Sequence, residues 1–444
     1  MIAKTAEDGT LKQGTHVTQL TSPSPADDTR REAVHDWYRF VLGYESQLVS
    51  DLLDRFAPRP TDGVFDPFCG TGTTLVECRK RGLATSGLDA NPVATFVTAA
   101  KLSWDVPPAM LLRVAKAAHD DAVNAIGSLN DLDDDALMSR LSAIDGFTAF
   151  ETFGLVERNW IGLKPLLKVL SLRGEIGKQS AGSLRSLLTT ALLSVTVHDA
   201  SNLKFGPEAY CALRRDDAPV MEAFLGRVER MAADLAMLRN DIPSLEPTPR
   251  VVAGDARDAT AVRRCRPIGY VITSPPYPNE KDYTRNTRLE MVLLDTIADN
   301  DALRVIKKGM IRSHSKGIYK DDADGGRIAR FARITAIVDE LREKCRHKTY
   351  GFAKQYPKVI AEYFGGMHRH FDALIQVAEK GCRAAYVVGQ QRTYLQTHVP
   401  TAACLAELAE DVGWTVEGIE TYRIRRGTTG SKHDIPEEVL FIRR

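Results

Sequence analysis

The feature that most constrains the fold is a strand, a glycine-rich loop, a helix and a second strand within residues 63–89. The apolar run GVFD enters the loop DPFCGTGTT at residues 66–74, and apolar residues at helical spacing follow from Leu75 to Arg81. Residues 84–89 then return to a strand-like pattern. This order is a βαβ unit, which requires parallel strands and places ligand chemistry at their carboxyl ends. We therefore predict an α/β protein with a parallel sheet.

Further apolar runs extend this sheet in the second half of the chain. A helix is expected before the first strand, over residues 46–56, and the apolar spacing between residues 107 and 241 is also helical. We therefore expect a helical insertion between the second and third strand motifs, over residues 105–249. Strands are expected over 250–255, 270–273, 384–388, 415–424 and 438–442, with a helix over 401–412.

Chain length and composition are sufficient for this architecture. With 444 residues, 43% of them hydrophobic, the chain can bury a large core. Residues 1–30 are rich in Thr, Ser, Pro and Asp without a sustained period, which predicts a mobile arm. We assign residues 31–104 and 250–444 to the ligand-binding domain. The insertion over 105–249 either carries target recognition or braces the fold.

Composition also bears on location. No stretch approaches the roughly 18 apolar residues that a transmembrane helix needs, and the N-terminus lacks the apolar segment of a signal peptide. The seven cysteines show no paired spacing for zinc or for a disulfide framework. We expect a cytoplasmic protein without a metal centre. Lys and Arg number 59 against 58 Asp and Glu, so net charge does not select a partner.

The glycine loop favours a ligand without phosphate groups. Gly70 and Gly72 let the backbone turn tightly, but no third glycine and no Gly-Lys-Ser/Thr sequence follows at the spacing of phosphate-binding loops. Asp66 is expected to hold the ammonium group of an amino-acid moiety. The alternative is an ordinary glycine turn with no ligand. On the first interpretation, the ligand contacts come from Asp66, Pro67, Phe68, Cys69, Gly70, Gly72, Thr73 and Thr74.

Two further acids stand at strand ends. Asp89 follows the loop by about 20 residues, where a carboxylate accepts hydrogen bonds from ribose hydroxyls. Asp255 ends the strand VVAGD and is expected to accept a hydrogen bond from an adenine amino group. Either acid alone is more often a strand-end cap than a ligand. Together with the loop, they describe a nucleoside that carries an amino acid, which points to S-adenosylmethionine.

The string TSPPY at residues 273–277 is a second chemical element at a strand end. Its two prolines remove amide donors and fix the backbone, which leaves carbonyl groups and the Ser274 hydroxyl as acceptors beside the ring of Tyr277. An amino group on a planar base can donate to these acceptors while the base stacks on the ring. A proline-ended strand with a surface tyrosine is the alternative. The predicted catalytic residues are Ser274, Pro275, Pro276 and Tyr277.

With these motifs the chain resembles the amino-group DNA methyltransferases, which use S-adenosylmethionine to modify N4 of cytosine or N6 of adenine. DPFCGTGTT is similar to their cofactor loop, GLDANP to their ribose-binding motif, VVAGDAR to their adenine-binding motif and TSPPY to their catalytic motif. The resemblance adds Asn91 and Ala256 to the cofactor contacts. Residues 35–53 are loosely similar to the segment that closes over the methionine part in that family.

The resemblance implies a Rossmann-like class I methyltransferase sheet, S-adenosylmethionine as the cofactor, and a base flipped out of duplex DNA as the substrate. It departs from the family pattern because the glycine loop precedes the SPPY motif and because the helical insertion separates two strand motifs. Ser274 stands where adenine enzymes commonly have Asp or Asn, which favours N4 of cytosine. We expect direct in-line transfer, since no Pro-Cys dipeptide for carbon-5 methylation occurs.

Several alternatives stay open at this point. Methylation of adenine N6 in DNA is the nearest, and an RNA methyltransferase acting on an amino group of guanine is another. A catalytically silent recognition subunit is a third. The expected type of partner is a cognate restriction or defence enzyme, and the sequence leaves the oligomeric state undetermined.

Cations interleaved with aromatic residues follow the catalytic motif, within residues 278–380. This pattern suits phosphate contacts and support for a displaced base. The alternative is a solvated helix face. The candidate nucleic-acid contacts are Lys281, Tyr283, Arg285, Arg288, Arg312 and Lys316.

Overall fold

The computed structural model describes most of the chain, and no helix in the described part is both long and apolar enough to span a membrane. The arm predicted over residues 1–30 lies outside the described residues. The described ranges are 33–40, 43–129, 132–205, 209–211, 214–241, 246–278, 281–348, 352–391, 395–425 and 435–444.

Helices make up most of the regular structure. Short 3₁₀ turns occur at His35–Trp37, Ser315–Gly317, Asp324–Ile328 and Ala353–Gln355, and a π turn at Thr196–Ala200. The helices are α1 (Ser46–Phe56), α2 (Thr73–Lys80), α3 (Pro92–Lys101), α4 (Pro108–Ile126), α5 (Asp134–Ser142), α6 (Phe147–Thr152), α7 (Leu163–Gly177), α8 (Ser183–Val195), α9 (Val220–Asp241), α10 (Ala259–Arg263), α11 (Tyr283–Asn286), α12 (Arg288–Leu293), α13 (Asn300–Gly309), α14 (Ala332–Cys345), α15 (Tyr356–Ile375) and α16 (Thr401–Asp411).

The strands are β1 (Val64–Asp66), β2 (Thr85–Asp89), β3 (Leu203–Phe205), β4 (Ala209–Cys211), β5 (Arg250–Ala253), β6 (Tyr270–Thr273), β7 (Arg383–Gly389), β8 (Thr415–Arg425) and β9 (Ile435–Arg443). Within the described residues, seven of them form one sheet in the order β5, β2, β1, β6, β7, β9, β8. Pairing is parallel from β5 to β7, and β9 lies antiparallel to both β7 and β8. The predicted α/β fold with a mainly parallel sheet is confirmed.

Helices cover both faces of this sheet. Successive side chains of a strand point to opposite faces, so Val64 packs with α1 on one side and Phe65 with α15 on the other. The parallel register aligns Asp66 with Gly87 and Asp89 with Ala253. The carboxyl ends of the strands that precede the predicted ligand residues therefore meet at one edge of the sheet.

Between β2 and β5 the chain first forms α3, which was not predicted, and then α4 to α9, which lie within the segment predicted to be helical. The small antiparallel pair β3–β4 was not predicted either. On α4, buried residues recur every three or four positions, namely Leu111, Ala115, Ala118, Ala122 and Ile126. This stripe packs into the same core cluster as α7, α8 and α9. The assignment of this segment to target recognition or to bracing stays a prediction.

Candidate functional site

A cavity of about 890 Å³ lies beyond the carboxyl ends of β1, β2, β5, β6 and β7. Its volume falls within the range of about 300–1,000 Å³ that is usual for ligand sites. Six of the predicted site residues do not line it: Asp66, Gly72, Thr74, Arg285, Arg288 and Lys316. The predicted residues that do line it are Pro67, Phe68, Cys69, Gly70, Thr73, Asp89, Asn91, Asp255, Ala256, Ser274, Pro275, Pro276, Tyr277, Lys281, Tyr283 and Arg312.

Three N–H groups of the glycine loop, those of Cys69, Gly70 and Gly72, are bonded within the protein. That of Cys69 donates to the carbonyl of Leu88 at 3.1 Å, and that of Gly72 to the carbonyl of Cys69 at 2.7 Å. The N–H of Gly70 donates to Oδ2 of Asp89 at 2.9 Å. A loop that binds phosphate needs such groups free for the ligand. The geometry therefore agrees with a ligand that has no phosphate at this loop.

Asp66 is sealed beneath the loop rather than facing the cavity. Its carboxylate is 0% exposed and accepts hydrogen bonds from the hydroxyls of Thr273 at 2.6 Å, Thr74 at 2.9 Å and Tyr44 at 3.0 Å, and from the N–H of Phe68 at 3.1 Å. Burial raises the pKa of Asp66, although these donors favour the charged form. The expected contact between Asp66 and a ligand ammonium group does not fit this arrangement. Asp66 instead ties β1 to β6 and to the loop.

Asp89 lines the cavity and is held by two backbone N–H groups. The N–H of Asn91 donates to Oδ1 of Asp89 at 2.8 Å, and the N–H of Gly70 donates to Oδ2. Burial raises the pKa of Asp89 to about 6. A carboxylate offers about four acceptor positions, so the side chain retains capacity for ligand hydroxyls. Asn91 also caps α3, where its Oδ1 accepts from the N–H of Val93 at 3.0 Å.

Asp255 lines the cavity within an ion-pair network. The buried guanidinium of Arg257 donates to both oxygens of Asp255 at 2.8 to 3.1 Å and to Oδ2 of Asp324 at 2.7 Å. Such charge-assisted pairs fix geometry as well as charge. Arg257 therefore holds Asp255 at the cavity wall. The VVAGDAR motif contains Arg257, but its spacing alone does not reveal this role.

His370 on α15 is a supporting residue that the sequence reasoning missed. It is fully buried, its Nδ1 lies 3.0 Å from the carbonyl of Ala256, and its Nε2 lies 2.7 Å from the hydroxyl of Tyr386. A carbonyl only accepts, so Nδ1 carries the proton and Nε2 accepts from Tyr386. The ring also packs edge-on against Phe68, with centroids 5.0 Å apart. His370, which does not itself line the cavity, thus supports two residues that do, Ala256 and Phe68.

The buried imidazole makes stability depend on pH. Burial lowers the pKa of His370 to about 4, whereas an unfolded chain has a value near 6.5. The unfolded state therefore binds more protons between these values, and stability is lost as pH falls through this window. Between pH 7 and pH 5 the wild type should lose about 2 kcal/mol more unfolding free energy than His370→Gln, which cannot titrate. Urea denaturation at both pH values measures this difference, and equal losses would contradict the expectation.

The TSPPY motif forms another wall of the cavity. Three prolines flank Tyr277 over residues 275–278, so its N–H is the sole amide donor of that stretch, and it donates to the hydroxyl of Tyr283 at 3.4 Å. The hydroxyls of Ser274 and Tyr277 lie 3.2 Å apart. Proline geometry and these two bonds fix the Ser274 hydroxyl beside an aromatic ring.

Residues before α1 complete the cavity. Tyr38, Phe40 and Tyr44 line it, although the sequence reasoning named none of them individually. The buried ammonium of Lys101 donates to the carbonyls of His35 at 3.1 Å and Tyr38 at 2.6 Å. Burial lowers the pKa of Lys101 to about 7. A side chain from α3 therefore holds this segment against the cavity through its backbone.

Three of the predicted nucleic-acid contacts have partners within the protein. Arg312 is 6% exposed and donates to both carboxylate oxygens of Asp322 at 2.8 to 3.1 Å. Arg288 packs over the ring of Phe153, 5.4 Å from its centroid. Arg285 donates to the carbonyl of Ala209 at 3.2 Å. Because Asp322 neutralises the guanidinium of Arg312 within the fold, a phosphate contact by Arg312 does not fit the structure, whereas that role stays a prediction for Arg285 and Arg288.

The remaining candidates are placed differently. Lys281 and Tyr283 line the cavity beside the TSPPY motif. Lys316 is exposed, and its ammonium lies 5.6 Å from the centroid of the Phe352 ring. On α14 the cations pair with acids one helical turn away, as in Arg342 with Asp339, which is typical of a solvated helix face. A role in nucleic-acid contact stays a prediction for Lys281, Tyr283 and Lys316.

The sheet order and the position of the cavity fit the class of Rossmann-like methyltransferases. No family model matches the sequence. The chain is similar to the type II methyltransferase M.BsoBI of Geobacillus stearothermophilus, with 22% identity over 432 residues that cover 91% of this chain and 83% of the relative.

Two further relatives carry the same description. The type II methyltransferase M.AvaI of Nostoc sp. is 20% identical over 416 residues, which cover 89% of this chain and 82% of the relative. The type II methyltransferase M.MjaII of Methanocaldococcus jannaschii is 34% identical over 62 residues, only 13% of this chain and 12% of the relative. The resemblance predicted from the motifs is confirmed: the chain is a relative of the type II methyltransferases.

Proposed function

We propose that the protein transfers a methyl group from S-adenosylmethionine to the exocyclic amino group of a DNA base, with N4 of cytosine as the preferred target. The observation that carries the proposal is the convergence of the glycine loop, Asp89, Asp255 and the TSPPY motif on one cavity. The relatives that match most of the chain are type II methyltransferases. On the basis of the same resemblance, we propose that the enzyme works together with a cognate restriction or defence enzyme.

The cavity residues fit the proposed cofactor. Asp89 has acceptor capacity for ribose hydroxyls, and Asp255 is held at the wall where an adenine amino group can donate to it. The N–H groups of Cys69, Gly70 and Gly72 are occupied, as suits a nucleoside that has no phosphate. When bound, S-adenosylmethionine supplies a methyl group activated by its sulfonium sulfur.

The TSPPY motif positions the base. A base amine donates to the Ser274 hydroxyl and to a carbonyl of the motif, while the ring of the base stacks on Tyr277. These contacts direct the nitrogen lone pair, and positioning of this kind accounts for much of the rate enhancement expected of the site. A base in duplex DNA must leave the helix to reach the cavity, at a cost of a few kcal/mol that stacking on Tyr277 helps to offset.

Mass spectrometry of nucleosides tests this function. Plasmid DNA is incubated with the purified protein and S-adenosylmethionine labelled in its methyl group, beside the variant Ser274→Ala, Tyr277→Ala. Labelled N4-methylcytosine from the wild type alone is the expected result. Labelled N6-methyladenine would keep the mechanism and overturn the preference drawn from Ser274. Absence of label in DNA, although the protein binds the cofactor, would refute the DNA substrate, and a parallel reaction on RNA would then show whether RNA replaces it.

A further inference from the structure

Glu290 on α12 lines the same cavity, but none of the roles described above involves it. Its side chain is 1% exposed. The hydroxyl of Tyr38 donates to its Oε1. Among the residues that the structure describes, no group donates to its Oε2. A buried carboxylate oxygen without a donor is strongly unfavourable, so a donor on a ligand would satisfy an existing deficit.

Among the described residues, no other carboxylate that lines the cavity has a buried oxygen without a donor. Asp89 accepts two backbone N–H groups, and Asp255 is paired with Arg257. Glu437 is paired with Arg423, whose Nε lies 2.5 Å from its Oε2. Glu290 therefore has the clearest unmet acceptor capacity for a cation in the cavity.

Contacts on one side connect Glu290 with the glycine loop. The ring of Tyr38 packs edge-on against Phe40, with centroids 5.7 Å apart. The Phe40 ring in turn comes within 4.0 Å of the position that a Cβ on Gly70 would occupy. A short chain of contacts thus leads from the carboxylate to the loop that we assign to the cofactor.

On the other side, contacts lead to the proposed ribose site. Thr287 immediately precedes α12, and its hydroxyl oxygen accepts a hydrogen bond from Nδ2 of Asn91 at 3.2 Å. The N–H of Asn91 donates to Asp89. Glu290 is therefore connected through these contacts to both proposed cofactor elements.

We propose that Glu290, rather than Asp66, is the carboxylate that binds the α-ammonium group of the cofactor's amino-acid moiety, with the Tyr38 hydroxyl fixing its orientation. This inference rests on the proposed function, because it requires the cavity to bind S-adenosylmethionine. An ammonium group brings three donors and a positive charge to a carboxylate that has an open acceptor position. Charge-assisted hydrogen bonds are stronger than neutral ones, so this pair contributes to cofactor selectivity. Burial raises the pKa of Glu290 to about 7, and a neighbouring ammonium would favour the charged carboxylate.

Calorimetric binding of two ligands tests the assignment without measuring activity. One ligand is S-adenosylhomocysteine, and the other is the same molecule with hydrogen in place of the α-amino group. The wild type should prefer the amino ligand by about 30-fold, and Glu290→Gln should reduce this preference to about threefold. The affinity of the variant for the ligand without the amino group should stay within about threefold of the wild type, because that ligand does not use the carboxylate.

A second variant guards against a folding artefact. Tyr38→Phe keeps the carboxylate and the aromatic ring but removes the hydroxyl donor, and it should reduce the preference by about threefold. An unchanged preference in Glu290→Gln would overturn the inference and leave the proposed function intact. If that variant had also lost methyl transfer, Glu290 would be assigned to the base amine instead. If the wild type binds neither ligand, the cofactor assignment fails and the inference fails with it.

Discussion

Replacing Tyr277 by alanine is expected to reduce the kcat/KM of methyl transfer by about 100-fold, since stacking of a base on an aromatic ring is worth about 1–3 kcal/mol and small misplacements at a reacting centre are costly. Tyr277 lines the cavity, its amide is held by Tyr283, and its hydroxyl lies 3.2 Å from that of Ser274. The ring is therefore presented to the cavity by a backbone that proline residues restrict. The rate is measured with labelled cofactor and plasmid DNA under single-turnover conditions.

The matched control is Tyr277→Phe, which keeps the ring and removes the hydroxyl. It should lose less than about tenfold, because a single hydrogen bond between neutral groups contributes about 1 kcal/mol. Binding of S-adenosylhomocysteine is measured for both variants, to separate loss of base positioning from loss of cofactor. Equal rates for Tyr277→Ala and the wild type would show that the ring does not support the base, and the catalytic interpretation of TSPPY would fail.

Local sequence was sufficient to predict the elements that build the cavity. Helix α1 has the bounds that the apolar spacing of residues 46–56 predicts, and β6 matches the run at residues 270–273. The strand expected over residues 250–255 ends earlier, at Ala253, because the backbone turns before Asp255. Such patterns depend on neighbours along the chain, and glycine or proline marks where they end. The relative order of the motifs therefore followed from the sequence.

The contacts of individual charged groups did not follow from it. Asp66 and Asp89 both stand at strand ends, but Asp66 meets three hydroxyls from elsewhere in the chain and is sealed, whereas Asp89 meets backbone N–H groups and keeps part of its surface in the cavity. Arg312 belongs to a basic segment, but Asp322 neutralises it. A residue's type shows what it can bond to, and only the packing shows whether a partner has already taken that position.

The same limit explains why Arg257 and His370 were missed. Neither residue lines the cavity, and each contacts a residue that does: Arg257 binds Asp255, and His370 binds the carbonyl of Ala256. Arg257 is in turn anchored by Asp324, which lies in a 3₁₀ turn packed against α15. The position of α15 relative to this turn therefore bears on the geometry of the proposed adenine site.

Gly365 makes the tightest approach of α15 to this turn. A Cβ on Gly365 would lie 1.9 Å from the carbonyl oxygen of Asp324 and 2.3 Å from its carbonyl carbon. Both are backbone atoms, so no side-chain rotation relieves the clash. Gly365→Ala should therefore reduce the free energy of unfolding by about 3 kcal/mol, as overpacking of a closely packed interface does. Because the turn carries Asp324, the variant should also bind S-adenosylhomocysteine more weakly.

The neighbouring Gly366 provides the matched control. A Cβ there would lie 3.6 Å or more from every other group, the nearest being the Asp324 carboxylate, which is an ordinary contact distance. Alanine in a helix interior is favoured over glycine by about 1 kcal/mol, so Gly366→Ala should be neutral or slightly stabilising. Urea denaturation of the two variants measures the difference, which should exceed about 3 kcal/mol. If Gly365→Ala proved as stable as Gly366→Ala, α15 and the turn would not be in the close contact described, and Arg257 would lose its proposed anchor.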